Sequence, residues 1–578
     1  MAADRGSTGT CVALLVLAFG SAACRAPADT SDTEVPFVER AGEVGLDFTH
    51  RNGMSGALYF VEIFGAGAAL FDYDGDGDLD AYLVQGGPLG PDRAPAGEPS
   101  PSGPLQLSDR LYRNELSERG ELFFTDVTAA SGIRATAYGM GVAAGDHDRD
   151  GRVDLFVTAF GSSTLWRNNG DGTFGDVTRR SGAGDDRWST SAAFLDYDRD
   201  GWLDLFVTRY VHFAFAGHRP CATSTGTPEY CGPERYTPLP DRLLRNRGDG
   251  TFEDRTVEAG LARHYGPGLG VIAADLDGDG WVDLYVANDG TANQLWINRG
   301  DGTFEERAVL AGCAYDGDGK PEAGMGVDAG DYDGDGDDDL FLTHLDDETH
   351  TLYANDGRAS FVDRTVEAGL AAPSRGFTGF GTAFLDYDND GRLDLFVANG
   401  AVKRLEALAR SGDPFPLRQR NQLFRNEGGG RFSDRSAEAG AAFALSEVSR
   451  GAAFGDVDND GDTDVLVTNN NGPARLLINR VGAGRSWIGL RLADPAGRLD
   501  EVGAVVELIL EDGSVLRRIA RTAASYLSSS DPRVLCGLGD GRARELRVRW
   551  PDGSRESWPP PPTGRYTTVR RGSGRRLP

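Results

Sequence analysis

LFDYDGDGDLDAYLV, residues 70–84, places Asp72, Asp74, Asp76, Asp78 and Asp80 within nine positions and then runs directly into apolar residues. Like charges at this density repel, so alone the run would be a solvated loop. A hard cation reverses the argument. Calcium takes six to eight oxygens at flexible angles, and a loop that turns back on itself supplies most of them. With Asp72 as position 1, carboxylates fall at positions 1, 3, 5 and 9. Gly77 falls at 6, where the missing Cβ permits a sharp bend. Asp78, at position 7, is expected to offer its carbonyl while its side chain faces water.

The same register returns six more times, as DHDRDGRVD, DYDRDGWLD, DLDGDGWVD, DYDGDGDDD, DYDNDGRLD and DVDNDGDTD. The candidate calcium ligands are therefore Asp72, Asp74, Asp76 and Asp80; Asp146, Asp148, Asp150 and Asp154; Asp196, Asp198, Asp200 and Asp204; and Asp275, Asp277, Asp279 and Asp283. They continue with Asp331, Asp333, Asp335 and Asp339; Asp386, Asp388, Asp390 and Asp394; and Asp456, Asp458, Asp460 and Asp464. Up to seven Ca²⁺ ions are expected. Turn chemistry without metal favours Asp and Gly too, but does not demand this ligand spacing. An EF-hand would need Glu at position 12 and flanking helices. Position 12 is instead Leu83, Val157, Val207, Val286, Leu342, Val397 and Val467, each in a strand-like run.

Two further repeats set the architecture. One is a strand ending in Asn, from LYRN at 111 to LLIN at 476; the other opens with Phe, from FVERA at 37 to FSDRS at 432. Turns such as NGDGT join them, and their Asp-Gly pair suits a hairpin. The last Asn strand has no Phe strand after it, and Phe37 has no Asn strand before it. Closure resolves both: the N-terminal strand completes the last unit. The expected fold is all-β, a seven-bladed β-propeller with calcium-binding loops over 37–480, which leaves few sheet edges exposed. Asp146 to Asp196 spans 50 residues, near the pitch of a propeller blade. Gly86–Pro104, Arg209–Asp241 and Ala401–Arg420 read as insertions, the last with a short helix.

The repeats resemble FG-GAP or VCBS repeats, as in integrin α-chain propellers. The chain as a whole resembles the cartilage acidic protein 1 family with its C-terminal ASPIC/UnbV domain. The segments that carry this are CATSTGTPEYCGPERYTPLPDRLLRN (221–246), AYDGDGKPEAGMGVDAGDYDGDG (314–336), RSWIGLRL (485–492), EVGAVVEL (501–508), SYLSSSDPRVLCGLGD (525–540) and VRWPDGS (548–554). Cys536 stands where that family usually has an aromatic, and Val502 where it has Ile. The resemblance implies a secreted, calcium-binding protein and hands over no reaction.

From about Val481 to Gly574, runs such as WIGLRL and ELRVRW alternate apolar and polar residues, which predicts a small antiparallel β-sandwich or barrel. SYLSSSDP, with hydroxyls and an Asp between strands, is its candidate functional surface, with turn chemistry alone as the other reading.

The chain has 578 residues and a net charge of −30, which makes nucleic acid a poor partner. CVALLVLAFG at 11–20 is too short to span a bilayer as a mature helix. With Ser21-Ala22-Ala23 after it, residues 1–24 read as an export signal, and 25–36 as a polar linker. Cys24 after two alanines also matches a lipoprotein attachment site, though Ser21 replaces the usual Leu; simple cleavage is the alternative. Either way the chain is exported: secreted, periplasmic or lipid-anchored. Cys221 and Cys231 lie ten apart in a Gly/Pro/Thr loop and are expected to pair in an oxidising compartment. Cys313 and Cys536 read as buried singles, with a bridge between them left open. There is no CxxC, GxSxG, HExxH, P-loop or dinucleotide fingerprint. His344 and His350 flank LDDET in what reads as a solvated loop. The expected function is a protein- or glycan-binding, adhesion-type module without catalysis. An extracellular polysaccharide hydrolase or lyase on a propeller scaffold is the alternative.

Overall fold

Each apolar run that follows an Asp loop pairs antiparallel with the run that precedes it. Ala68–Phe71 lies against Asp80–Leu83, with Ala69 opposite Tyr82. The Asn-ended strand Arg110–Asn114 pairs next, and the short Phe124–Asp126 strand closes the sheet, Phe124 opposite Asn114. The computed structural model describes residues 35–90, 108–413 and 415–578. Among these, the same strand order occurs in seven sheets. The seventh takes its fourth strand from the other end of the sequence: Phe37–Glu39 pairs with Arg475–Asn479, and Phe37 sits opposite Asn479. The first strands of successive sheets touch in order, and that of the seventh, Ser449–Gly455, touches that of the first. The export signal at 1–24, Cys24, most of the 25–36 linker and most of the Gly86–Pro104 insertion lie outside the described residues.

Apolar residues from neighbouring sheets interleave to make the core. Ala69, Phe71 and Tyr82 of the first sheet pack with Leu155, Trp166 and Phe174 of the second. The alternating strand pattern leaves one face of each sheet to each neighbour, so both faces are covered and the second strands are buried along almost their full length.

The C-terminal strands form two sheets around Ile488, Leu490, Val506, Leu508, Leu546 and Trp550. Their pairing is not wholly antiparallel. Tyr566–Arg570 runs parallel to Ser486–Ala493, because the WPPPPTG crossing returns the chain before it re-enters the sheet.

Two strands of this region leave it. Ala523–Ala524 and Ser528–Ser529 make a small hairpin that joins the first sheet, Ser529 beside Ala69. The hairpin packs on the first strands of all seven sheets and hydrogen-bonds to six of them. Ser525 exchanges backbone bonds with Val327, and its hydroxyl accepts from Thr382 N–H. Leu527 N–H donates to the Ser191 hydroxyl, and Val142 N–H donates to the Leu527 carbonyl. Ser528 Oγ accepts from Ala68 N–H, Ser529 Oγ from Ala144 N–H, and Ser530 Oγ from Phe454 N–H. Gly67 makes this approach possible: a Cβ there would lie 1.7 Å from the Leu527 carbonyl oxygen. Tyr526 and Leu527 at the tip are buried among Phe60, Phe64, Trp188, Tyr210 and Phe380. SYLSSSDP is therefore not an exposed functional surface. Its hydroxyls are consumed by backbone N–H groups that would otherwise be orphaned in the interior.

Candidate functional site

The Asp loops share one hydrogen-bond scheme. The position-1 carboxylate accepts from backbone N–H groups across the loop, as Asp72 does from Gly75 and Gly77 at 2.7 and 3.0 Å. The position-5 carboxylate accepts from the N–H two residues on, Asp76 from Asp78 and Asp390 from Arg392. The position-9 carboxylate is fully buried and bridges two strands. Asp80 accepts from Tyr73 N–H (2.9 Å) and Asn114 N–H (2.8 Å), and Asp154, Asp204, Asp283, Asp339, Asp394 and Asp464 do the same. These bonds draw the carboxylates together: oxygens of Asp72, Asp74 and Asp76, of Asp146, Asp148 and Asp150, and of Asp196, Asp198 and Asp204 converge within 4.8 Å of one another.

Asp78 departs from expectation. Its side chain is buried, 2% exposed, and accepts from Ser117 N–H and Asn459 Nδ2. Loops of adjacent sheets are crowded enough to use it as a link.

Burial, followed by the neighbouring carboxylates, pushes Asp146 and Asp196 up to about 7. Burial also raises Asp386 and Asp456 to about 7 and Asp331 to about 6, despite the arginines facing them. In these crowded loops burial and mutual repulsion outweigh the positive charge nearby. The donor set fits a hard cation. Oδ1 of Asp148, Asp275, Asp388 and Asp458 is buried without a hydrogen-bond partner. A carboxylate oxygen sequestered in this way is costly unless something positive meets it.

The sequence reading used the Asn that ends each third strand only as a repeat marker. Its role is mechanical. Asn168 Nδ2 donates to the Val153 carbonyl in its own loop and to the Tyr73 carbonyl in the loop of the preceding sheet. Asn246 reaches His147, Asn298 reaches Tyr197, Asn355 reaches Leu276, Asn426 reaches Tyr332 and Asn479 reaches Tyr387. Asn114 reaches Val457, in the loop of the seventh sheet. Each loop is thus held by the sheet that follows it, and the chain of bonds returns to its start.

The C-terminal region lies over these loops. Arg549 pairs with Asp275 at 2.7 Å, Arg517 with Asp338 at 2.5 Å, and Tyr566 donates to Asp456 at 3.0 Å. Trp487 packs so closely on Gly461 (φ 95°) that a Cβ there would meet its ring at 1.8 Å. Connections between second and third strands emerge at the other end of each sheet. There Cys221 and Cys231 form a disulfide, and the insertion they pin packs on residues 59–62. Phe60 stacks on Tyr236, and Tyr230 donates to Glu62 at 2.9 Å. The 401–420 insertion carries the short helix Glu406–Arg410. Cys313 and Cys536 are both buried and free. LDDET forms a partly exposed turn with Asp347 in solvent, but His344 and His350 on either side of it are 0% exposed and so do not belong to a solvated loop. His344 Nδ1 is tied to the Thr349 carbonyl, and His350 Nδ1 accepts from His344 N–H. Among the described residues no helix is long and apolar enough to cross a membrane.

Asp-Gly hairpins repeated between paired strands, with the last sheet meeting the first and a C-terminal β region over the loops, define an Asp-loop repeat protein. The chain belongs to the FG-GAP-like repeat family. That family's model matches residues 146–207, 231–286, 275–342, 331–397 and 408–494, and the ASPIC and UnbV model matches 495–576. Cartilage acidic protein 1 of Homo sapiens is 27% identical over 332 residues, 56% of this chain and 46% of that protein. The Mus musculus protein of the same name is 26% identical over 366 residues, 60% of this chain and 53% of that protein. The chain spans about half the length of the curated relatives it matches. A solved Agrocybe aegerita structure, described as recognising non-reducing terminal N-acetylglucosamine, is 17% identical, with a TM-score of 0.34 over 70% of this chain and 86% of that one.

Proposed function

We propose that this chain is an exported, calcium-stabilised seven-bladed β-propeller that binds an extracellular protein or glycan without catalysis. The propeller spans 37–480 and the ASPIC/UnbV-like domain 481–574. The observation that carries the calcium reading is the set of buried, partnerless carboxylate oxygens on Asp148, Asp275, Asp388 and Asp458. The remaining position-1, 3, 5 and 9 aspartates are the ligands of the same seven sites. Bound calcium supplies the positive charge that crowded carboxylates lack and holds each hairpin shut. The protein's own part is to aim the carboxylates through loop N–H groups and to tether each loop through the following asparagine.

The C-terminal region occupies the face that carries the Asp loops. Ligand binding therefore belongs to the opposite face, where the disulfide-pinned insertion, residues 54–62 and the 401–420 insertion meet. Export through the 1–24 segment, with or without a lipid on Cys24, accords with that disulfide.

The test is a screen of the full chain, with calcium, against glycan arrays and extracellular protein panels, run beside glycan-degradation assays. Phe215 of the insertion is half-buried against Tyr59 and Phe213; retained ligand without product is expected, and Phe215→Ala should weaken it. New reducing ends or unsaturated sugars would replace this reading with the polysaccharide hydrolase or lyase.

A further inference from the structure

The seven loops are alike in their aspartates and unlike in what stands beside them. The residue just before each strand-ending Asn is Arg113, Arg167, Arg245, Ile297, Ala354, Arg425 and Ile478 in turn. Three of these arginines turn onto their own Asp loop. Arg167 bonds Asp148 and, at 2.6 Å, Asp150. Arg245 bonds Asp198 at 2.5 Å and Asp200 at 2.8 Å. Arg425 lies 3.0 Å from both Asp388 and Asp390. In each case the guanidinium spans the position-3 and position-5 carboxylates. A second arginine, Arg152 or Arg392, adds to Asp150 and Asp390.

The other four loops have no such clamp. Ile297, Ala354 and Ile478 carry no charge. Arg113 turns instead to Glu115 at 3.0 Å and Glu118 at 3.9 Å. In the loops from Asp275, Asp331 and Asp456 an arginine faces the first carboxylate (Arg549, Arg518 and Arg533 in turn), and among the described residues none bridges positions 3 and 5. The loop from Asp72 has further acids beside it, with Asp76, Asp78 and Glu118 converging.

Resting on the calcium reading above, we propose that the loops form two classes. Those beginning at Asp72, Asp275, Asp331 and Asp456 bind calcium tightly. Those beginning at Asp146, Asp196 and Asp386 bind it roughly tenfold or more weakly, because Arg167, Arg245 and Arg425 already neutralise part of each site. The affinity of an oxygen-ligand calcium site follows its ligand charge, and a resident guanidinium lowers that charge and repels the incoming ion. The same arginines offset part of the carboxylate repulsion in the three weak loops, so these lose less of their shape without calcium than the other four, although Oδ1 of Asp148 and of Asp388 still lacks a partner. The arrangement yields a protein with a permanently loaded set of loops and a set that fills only where calcium is plentiful.

Calcium titration of the full chain, read by native mass spectrometry and calorimetry, tests this. Four ions should bind before three more, with about a tenfold gap in free calcium between the steps. Arg425→Met keeps the apolar stem and removes the charge, so five ions should bind in the first step. Ala354→Arg, on a partly buried position equivalent to Arg425, should leave three. Melting curves at saturating calcium verify that both variants are folded. Seven equivalent sites in the parent chain, or a weaker site in Arg425→Met, would overturn the two classes; the second result would make the arginine an orienting group for the carboxylates. A parent chain that binds no calcium would instead overturn the calcium reading itself.

Discussion

The Asp-loop end of the sheets and the interior beneath it solve the same problem by opposite means. Both contain polar groups that cannot be left bare. At the loops, one arrangement of carboxylate, N–H and asparagine is written seven times. In the interior, a single hairpin from the far end of the sequence satisfies six different strands, with a different contact to each. Arg450 belongs to this second kind. It is fully buried with no carboxylate partner and donates to the carbonyls of Ile63, Gly400, Ser449 and Ala401 while its guanidinium lies 3.9 Å over Phe380. Burial pulls its pKa down to about 9. Repetition builds a rim; unique contacts fill a centre.

On the proposed calcium reading, the strongest way to break the rim is to withdraw the metal. A site saturated at a hundredfold its Kd contributes about 2.7 kcal/mol, and several sites act together. Excess chelator should lower the melting temperature on the order of 10 °C, and scanning calorimetry with and without calcium measures it. An unchanged melting curve would remove calcium from the account of the rim. The centre should respond differently: protection of the 523–531 amides from exchange should survive chelation until global unfolding.

The centre is broken by Tyr526→Ala. The side chain is fully buried and packs edge-on to Phe380 with ring centroids 4.8 Å apart. Truncation leaves a cavity among aromatic rings, and a loss of about 3–5 kcal/mol is expected from denaturant unfolding at saturating calcium. Calcium stoichiometry should not change, since the hairpin touches first strands and not the loops. A parallel loss of bound calcium would show that rim and centre are one cooperative unit.

The same contrast explains what the sequence disclosed. Seven aspartate registers, seven Asn strands and a displaced Phe37 strand are visible because a period multiplies weak signals, and the pairing of Phe37–Glu39 with Arg475–Asn479 accords with that reading. SYLSSSDP occurs once. Its serines and its neighbouring Asp531 read as turn chemistry, yet every hydroxyl from Ser528 to Ser530 meets an interior N–H. Polar composition signals solvent only when no backbone donor awaits the side chain, and sequence does not show the donors. His344 and His350, flanking LDDET, mislead in the same way. The asparagines show the other limit. Their periodicity is plain, but their partners lie one sheet back, roughly 80 to 100 residues away for six of the seven.

Asn298→Ala sharpens the comparison with a smaller effect. The side chain donates to the Tyr197 and Val282 carbonyls at 2.8 and 3.1 Å, and its Oδ1 accepts from Gly300 N–H at 3.0 Å. Removing it strands the buried Tyr197 carbonyl, the part-buried Val282 carbonyl and one N–H at a cost of about 2–3 kcal/mol. Asn298→Asp keeps the acceptor and turns a carboxylate toward two carbonyl oxygens, so it should cost more than the alanine. The decisive readout is where the damage appears. If the asparagine is an inter-sheet tether, hydrogen exchange should quicken in the loop from Asp196 to Asp204, which belongs to the preceding sheet, as much as in the loop from Asp275 to Asp283. Damage confined to the fourth sheet would make Asn298 an ordinary turn residue and leave the ring held by apolar packing alone.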